Sequence, residues 1–211
     1  RSMGFEGECI VMPHRVDLPM GSVSDEAVYT ATAGFDLPDG VPVFLFVGRM
    51  MWYKGLKVIA DALAMQKAAG VDYRMVFVGS GAELEAFQRY IVRIGIMDKC
   101  IFTGSIHDRE LLRAWYCRAD LFLFPSTFDT NGLVVREAAA CSLGSVLIGG
   151  SCAAEGITDG VNGLLIEENA ESMSACLTRV LQQPGIMQQI GKNAARDLYL
   201  SWNDAVHSAM S

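Results

Sequence analysis

The chain has too little positive charge to hold a nucleic acid: 17 Lys and Arg against 24 Asp and Glu leave a formal net charge of −7 over 211 residues. Phosphate-backbone binding needs a basic face, so polynucleotide partners are excluded and any anionic ligand must be held locally. Histidine is also scarce. His14, His107 and His207 lie far apart, and no H-x-E or D-x-D pattern offers a divalent-cation site, so no metal is expected. No apolar run reaches the ~18 residues of a membrane-spanning helix, and the N-terminus lacks the features of a signal peptide. The six cysteines (Cys9, Cys100, Cys117, Cys141, Cys152, Cys176) contain no C-x-x-C pair. They read as buried free thiols of a reducing, cytoplasmic setting, with Cys152 a packed small side chain, and not as a disulfide frame.

What is present is the pattern of one large α/β domain. Residues 1–40 hold three prolines and no sustained periodicity, and they read as an interdomain linker and the start of a domain whose body spans 41–211. From there short apolar runs alternate with helical stretches: Val43 to Gly48, Met75 to Gly79, Ile101 to Gly104, Leu121 to Pro125, Ser145 to Gly149 and Gly163 to Ile166. Runs apolar on both faces are what parallel strands covered by helices require. Between them, Leu56, Ile59 and Leu63 form one helical stripe, Leu84, Phe87, Ile91 and Ile94 another, and Leu111, Leu112 and Trp115 a third. Further helices are expected from 170 onward, broken at Pro184-Gly185. The series predicts a Rossmann-like, doubly wound parallel six-stranded sheet with right-handed crossovers.

In the common strand order 3-2-1-4-5-6, strands 1 and 4 are neighbours, and ligands bind at the carboxyl ends of the strands at that switch point. The loop after strand 1 carries Gly48, Arg49 and Lys54; the loop after strand 4 carries Asp129, Gly132 and Glu137. Arg49 and Lys54 can neutralise a pyrophosphate, and Gly132 lets backbone N–H groups of the helix starting near Leu133 approach a phosphate. Glu137 can accept from a ribose diol and Asp129 from sugar hydroxyls, so a nucleoside diphosphate sugar suits the set. Taken singly, each is an ordinary surface charge or cap; the coincidence at one crevice carries the reading. Asp129 then serves only the sugar-bearing ligand, and a bare diphosphate is expected to be indifferent to Asp129→Asn.

The sequence resembles the donor-binding domain of family 4 glycosyltransferases over about residues 40 to 200. VGRMMWYKG (Val47 to Gly55) is similar to the family's G-R-x4-K-G loop, and VGSGAELEAF, IFTGSI, LRAWYCRADLFLFPS and DGVNGLLI follow in the family's order. The family's Glu-x7-Glu element reads Asp129-x7-Glu137 here, one methylene shorter at its first carboxylate. A Gly-Gly pair precedes Glu155 by five or six positions, where the family usually has three and four. The resemblance implies one half of a two-domain GT-B enzyme that transfers a sugar with retention and without an obligatory metal or cofactor. It assigns catalysis to Arg49, Lys54 and Asp129, and donor contacts to Gly48, Arg49, Lys54, Ile106, Asp129, Asn131, Gly132, Leu133, Val134 and Glu137. Residues 8 to 20 resemble the segment leading out of the other half, an N-terminal acceptor domain. Any peripheral membrane association of a full-length enzyme would run through that half.

Two alternatives stand beside this reading. A nicotinamide-dependent oxidoreductase shares the sheet, but strand 1 is followed by Gly48-Arg49 in place of G-x-G-x-x-G, and strand 2 ends in Val78-Gly79 without the acid that holds an adenosine ribose. A non-catalytic nucleotide-binding domain on the same fold is separated from the first reading only by activity.

Overall fold

The computed structural model describes residues 18–129 and 132–199. Cys9, His14, His207, Trp202, Asn131 and the segment Met12 to Asp17 lie outside them. Six strands, β1 (Val43–Val47), β2 (Arg74–Val78), β3 (Cys100–Gly104), β4 (Leu121–Phe124), β5 (Ser145–Ile148) and β6 (Leu164–Ile166), form one sheet in the order β3-β2-β1-β4-β5-β6. All neighbouring pairs are parallel. Every residue of β1, β2, β4 and β5 is buried, as expected of strands covered on both faces. The edge strand β3 is half-buried throughout.

Among the described residues seven α-helices connect and cover these strands: α1 (Asp25–Thr32), α2 (Leu56–Ala68), α3 (Leu84–Arg93), α4 (Arg109–Arg118), α5 (Leu133–Ala140), α6 (Ala170–Leu181) and α7 (Ile186–Leu198). Leu56, Ile59 and Leu63 of α2 are fully buried, each contributing roughly 1.5–3 kcal/mol relative to exposure. Buried Gln66 ties α2 to α6, its amide donating to the Ser174 carbonyl (2.9 Å), the Ser174 hydroxyl (2.7 Å) and the Thr178 hydroxyl (2.9 Å). α3 ends at Arg93 with Ile94 as its cap, and α7 starts after Gly185, where Pro184-Gly185 signal the break.

Two expectations change. The stretch read as linker contains α1, which packs on α4. Ser24 caps it, accepting from the Ala27 N–H (3.2 Å), and Asp25 and Glu26 suit the positive end of its dipole. The stripe on α4 is also displaced. Trp115 and Tyr116 are buried and Leu112 half-buried, whereas Leu111, one position and about 100° around the helix, is exposed.

Candidate functional site

The crevice forms where β1 and β4 lie side by side, because the chain leaves their carboxyl ends in opposite directions. The loop from Gly48 to Gly55 is fastened first to its β2 neighbour. The Gly48 N–H donates to the Val78 carbonyl and the Met50 N–H to the Ser80 carbonyl, both at 3.0 Å. Met50 is fully buried, and the Trp52 N–H donates to the Glu83 carboxylate at 2.6 Å. The Trp52 ring meets Phe87 and Tyr90 edge-on. One tight turn, Trp52–Lys54, then closes on Gly55 in the left-handed region (φ +78°). A Cβ at Gly55 would lie 2.1 Å from the Pro125 carbonyl oxygen, so only glycine permits this backbone to touch the loop after β4.

That contact delivers Lys54 to Asp129. The Lys54 Nζ lies 3.0 Å from Asp129 Oδ2, with the two side chains 13% and 17% exposed. The ammonium also stands 5.5 Å over the Phe124 ring. The other carboxylate oxygen, Oδ1, accepts the Gly132 N–H at 3.1 Å. Gly132 adopts φ +55° and opens α5, whose first-turn N–H groups point back toward the crevice. A cation, a carboxylate and a helix start thus converge. The arrangement can hold an anion between an ammonium and the positive end of a helix dipole.

The remaining predicted residues fall around this centre. Arg49 is exposed on the same loop as Lys54, and Gly48 is half-buried at the end of β1. Leu133 and Val134 form the start of α5, exposed and half-buried respectively. Ile106 follows β3, two strands away from β1, and packs against the core. Glu137, in the second turn of α5, is half-buried and accepts a hydrogen bond from the Tyr116 hydroxyl at 3.0 Å. Burial pushes the Tyr116 phenol well above its ordinary range, and the Glu137 charge and hydrogen bond push the same way, so the hydroxyl keeps its proton and donates it.

Tyr116 was missed from the sequence because its partner lies 21 residues on and the residue reads as one more apolar position of α4. Cys152 corrects another expectation: it is exposed, in a short turn after β5, and not packed. A cavity of about 650 Å³ opens at the opposite end of the sheet, lined by Val23, Val41, Pro42, Cys117, Asp120 and Met187. It lies before the first residues of β1 and β4, away from the carboxyl ends where such sheets bind ligands. No helix among the described residues is long and apolar enough to cross a membrane.

The profile of the family described as "Glycosyl transferases group 1" matches residues 31–197. A D-inositol 3-phosphate glycosyltransferase of Segniliparus rotundus is 31% identical over 189 residues, covering 86% of this chain and 41% of that protein. Among solved structures, the C-terminal domain of a group 1 glycosyl transferase of Francisella tularensis aligns with a TM-score of 0.70 at 19% identity. That alignment covers 91% of this chain and 95% of that one. Anabaena HepE in complex with UDP and glucose aligns with a TM-score of 0.76 at 20% identity, over 90% of this chain and 52% of that one. These two likenesses concern the fold. The chain spans between 37% and 46% of the length of the curated relatives it matches. Its six-stranded parallel sheet is the Rossmann-like half of a GT-B architecture, and the chain belongs to the group 1 glycosyl transferases.

Proposed function

We propose that this chain is the donor-binding half of a retaining glycosyltransferase that takes a nucleoside diphosphate sugar and passes the sugar to an acceptor hydroxyl. The observation that carries the reading is the Lys54–Asp129 pair, 3.0 Å across the two loops of the switch point, with the Gly132 N–H on the same carboxylate. In the loaded site Lys54 and Arg49 face the diphosphate, together with N–H groups of Gly132, Leu133 and Val134. Glu137 takes the ribose diol, Asp129 the sugar hydroxyls, and the chain at Gly48 and Ile106 borders the donor.

During transfer the bond from the anomeric carbon to the phosphate oxygen breaks and one to the acceptor oxygen forms on the same face. The acceptor hydroxyl loses its proton, and negative charge grows on the leaving diphosphate. Preorganised cations and N–H dipoles aimed at that charge stabilise the transition state without having to reorganise as the charge develops. Side chains supply the charge compensation in this reading, with no obligatory divalent ion. The UDP held by the structurally similar Anabaena protein supports a nucleotide ligand, and the family match lends nothing to the nicotinamide alternative.

Calorimetry in EDTA with UDP, GDP, ADP and NAD tests the proposal. One nucleoside diphosphate is expected to bind, and Arg49→Ala and Lys54→Ala are each expected to weaken it roughly tenfold or more, as charge-assisted hydrogen bonds contribute about 1.5–3 kcal/mol. Arg49→Lys should also weaken binding, because a point charge does not reproduce the guanidinium fork. Binding that needs Mg²⁺, or variants that bind like wild type, would refute the assignment.

A further inference from the structure

We infer that Tyr116 is a positioning residue for Glu137, holding that carboxylate in the one orientation that grips a ribose diol and so making the site select ribonucleotides over 2′-deoxyribonucleotides. The inference rests on the proposed role of Glu137 toward the ribose. It starts from the 3.0 Å hydrogen bond that the Tyr116 hydroxyl donates to Glu137 Oε2.

Tyr116 has no freedom of its own. It is fully buried on α4, and its ring meets Phe122 of β4 with centroids 5.8 Å apart at 62°. Phe122 in turn stacks on Phe124 at 5.6 Å and 11°, and Phe124 ends the strand that feeds the loop of Asp129. The donor is therefore mounted on the sheet, while its acceptor sits on α5, the helix that opens at the anion site. The hydrogen bond registers the ribose end of the site against the phosphate end.

The chemistry requires such a mounting. A glutamate side chain has three rotatable bonds and loses most of its rotamer freedom when a ligand must fix it. A carboxylate held beforehand spares the ligand that ordering, the ordinary gain of preorganisation. A carboxylate has two acceptor oxygens and so can accept from both hydroxyls of a diol. A nucleotide with one hydroxyl at that end uses only part of a group fixed for two.

The test uses the 211-residue chain, calorimetry, and UDP against 2′-deoxy-UDP, repeated with the guanine and adenine pairs so that the base is not assumed. Wild type is expected to prefer the ribonucleotide about tenfold, and Glu137→Gln to lose that preference. Tyr116→Phe, which removes one oxygen from a packed ring, is expected to shrink it below about threefold while Lys54→Ala leaves the ratio intact. No preference in wild type overturns both this inference and the ribose role of Glu137. A wild-type preference that Glu137→Gln abolishes but Tyr116→Phe keeps overturns the positioning role alone. Glu137→Asp covers the case in which Tyr116→Phe folds poorly. It keeps the charge but withdraws it by one methylene from the hydroxyl, so a retained tenfold ratio there also overturns the inference.

Discussion

Asp129 shows how one side chain changes meaning once its neighbours are known. Read from its spacing to Glu137, it belongs to sugar hydroxyls, and a bare diphosphate should ignore it. In the structure its two oxygens hold the Lys54 ammonium and the Gly132 N–H, two groups that the proposed diphosphate would use. The carboxylate therefore occupies part of the anion site and competes with a phosphate for it. A partly shielded pair of this kind contributes up to about 1 kcal/mol. Asp129→Asn is thus expected to tighten UDP, or whichever diphosphate binds, by up to about fivefold, while narrowing the affinity advantage of the nucleotide sugar over the bare diphosphate. Titrating both ligands into both proteins checks this; unchanged affinity for the bare diphosphate would restore the simpler reading. Lys54 and Asp129 were each legible as candidates because strand order brings their loops together. Their pairing was not, since it depends on a turn geometry 75 residues away in sequence.

Among the elements, the tight turn Trp52–Lys54 and the start of α5 decide whether the two loops meet. The hinge of that meeting is Gly55, where left-handed backbone and contact with the Pro125 carbonyl coincide. Gly55→Ala is expected to cost about 3 kcal/mol, combining αL strain with overpacking. In a domain of this size that lowers the melting temperature by roughly 6–12 °C, and it should weaken diphosphate binding by moving Lys54 off its partner. A melting curve within 2 °C of wild type would show that the loop yields. Element by element, the strands were legible because their runs are apolar on both faces, and their order is the common one of doubly wound sheets. Helix α1 escaped notice for the complementary reason. It buries none of its own residues, so no stripe marks it, and its place against α4 is tertiary. Only its cap, Ser24 before Asp25 and Glu26, was there to be read. The Leu111 stripe failed because two adjacent leucines leave the phase of a short helix open until its neighbours choose one.

On the scale of the whole molecule, the relatives are more than twice as long as the stretch that matches, and the Francisella C-terminal domain has the same fold. If the acceptor surface lies in the length that this chain does not cover, the 211 residues bind donor without transferring its sugar. Incubation with the preferred nucleotide sugar and a broad acceptor panel is then expected to give no acceptor-dependent diphosphate release near ordinary enzyme rates, on the order of 1 per second; turnover at that rate would place the whole apparatus in this chain. The order of the sheet has one more consequence, which concerns synthesis. β1, β2 and β3 are complete by Gly104, so the first half of the sheet can assemble as the chain leaves the ribosome. The seam between β1 and β4 registers at just two positions, Phe44 with Leu121 and Leu45 with Phe122, and waits for the later strand. Lys54 must therefore spend the translation of some 75 residues without its carboxylate. At 5–20 residues per second the nascent chain carries an open, cationic half-crevice for roughly 4–15 seconds before the carboxylate that will face Lys54 is made.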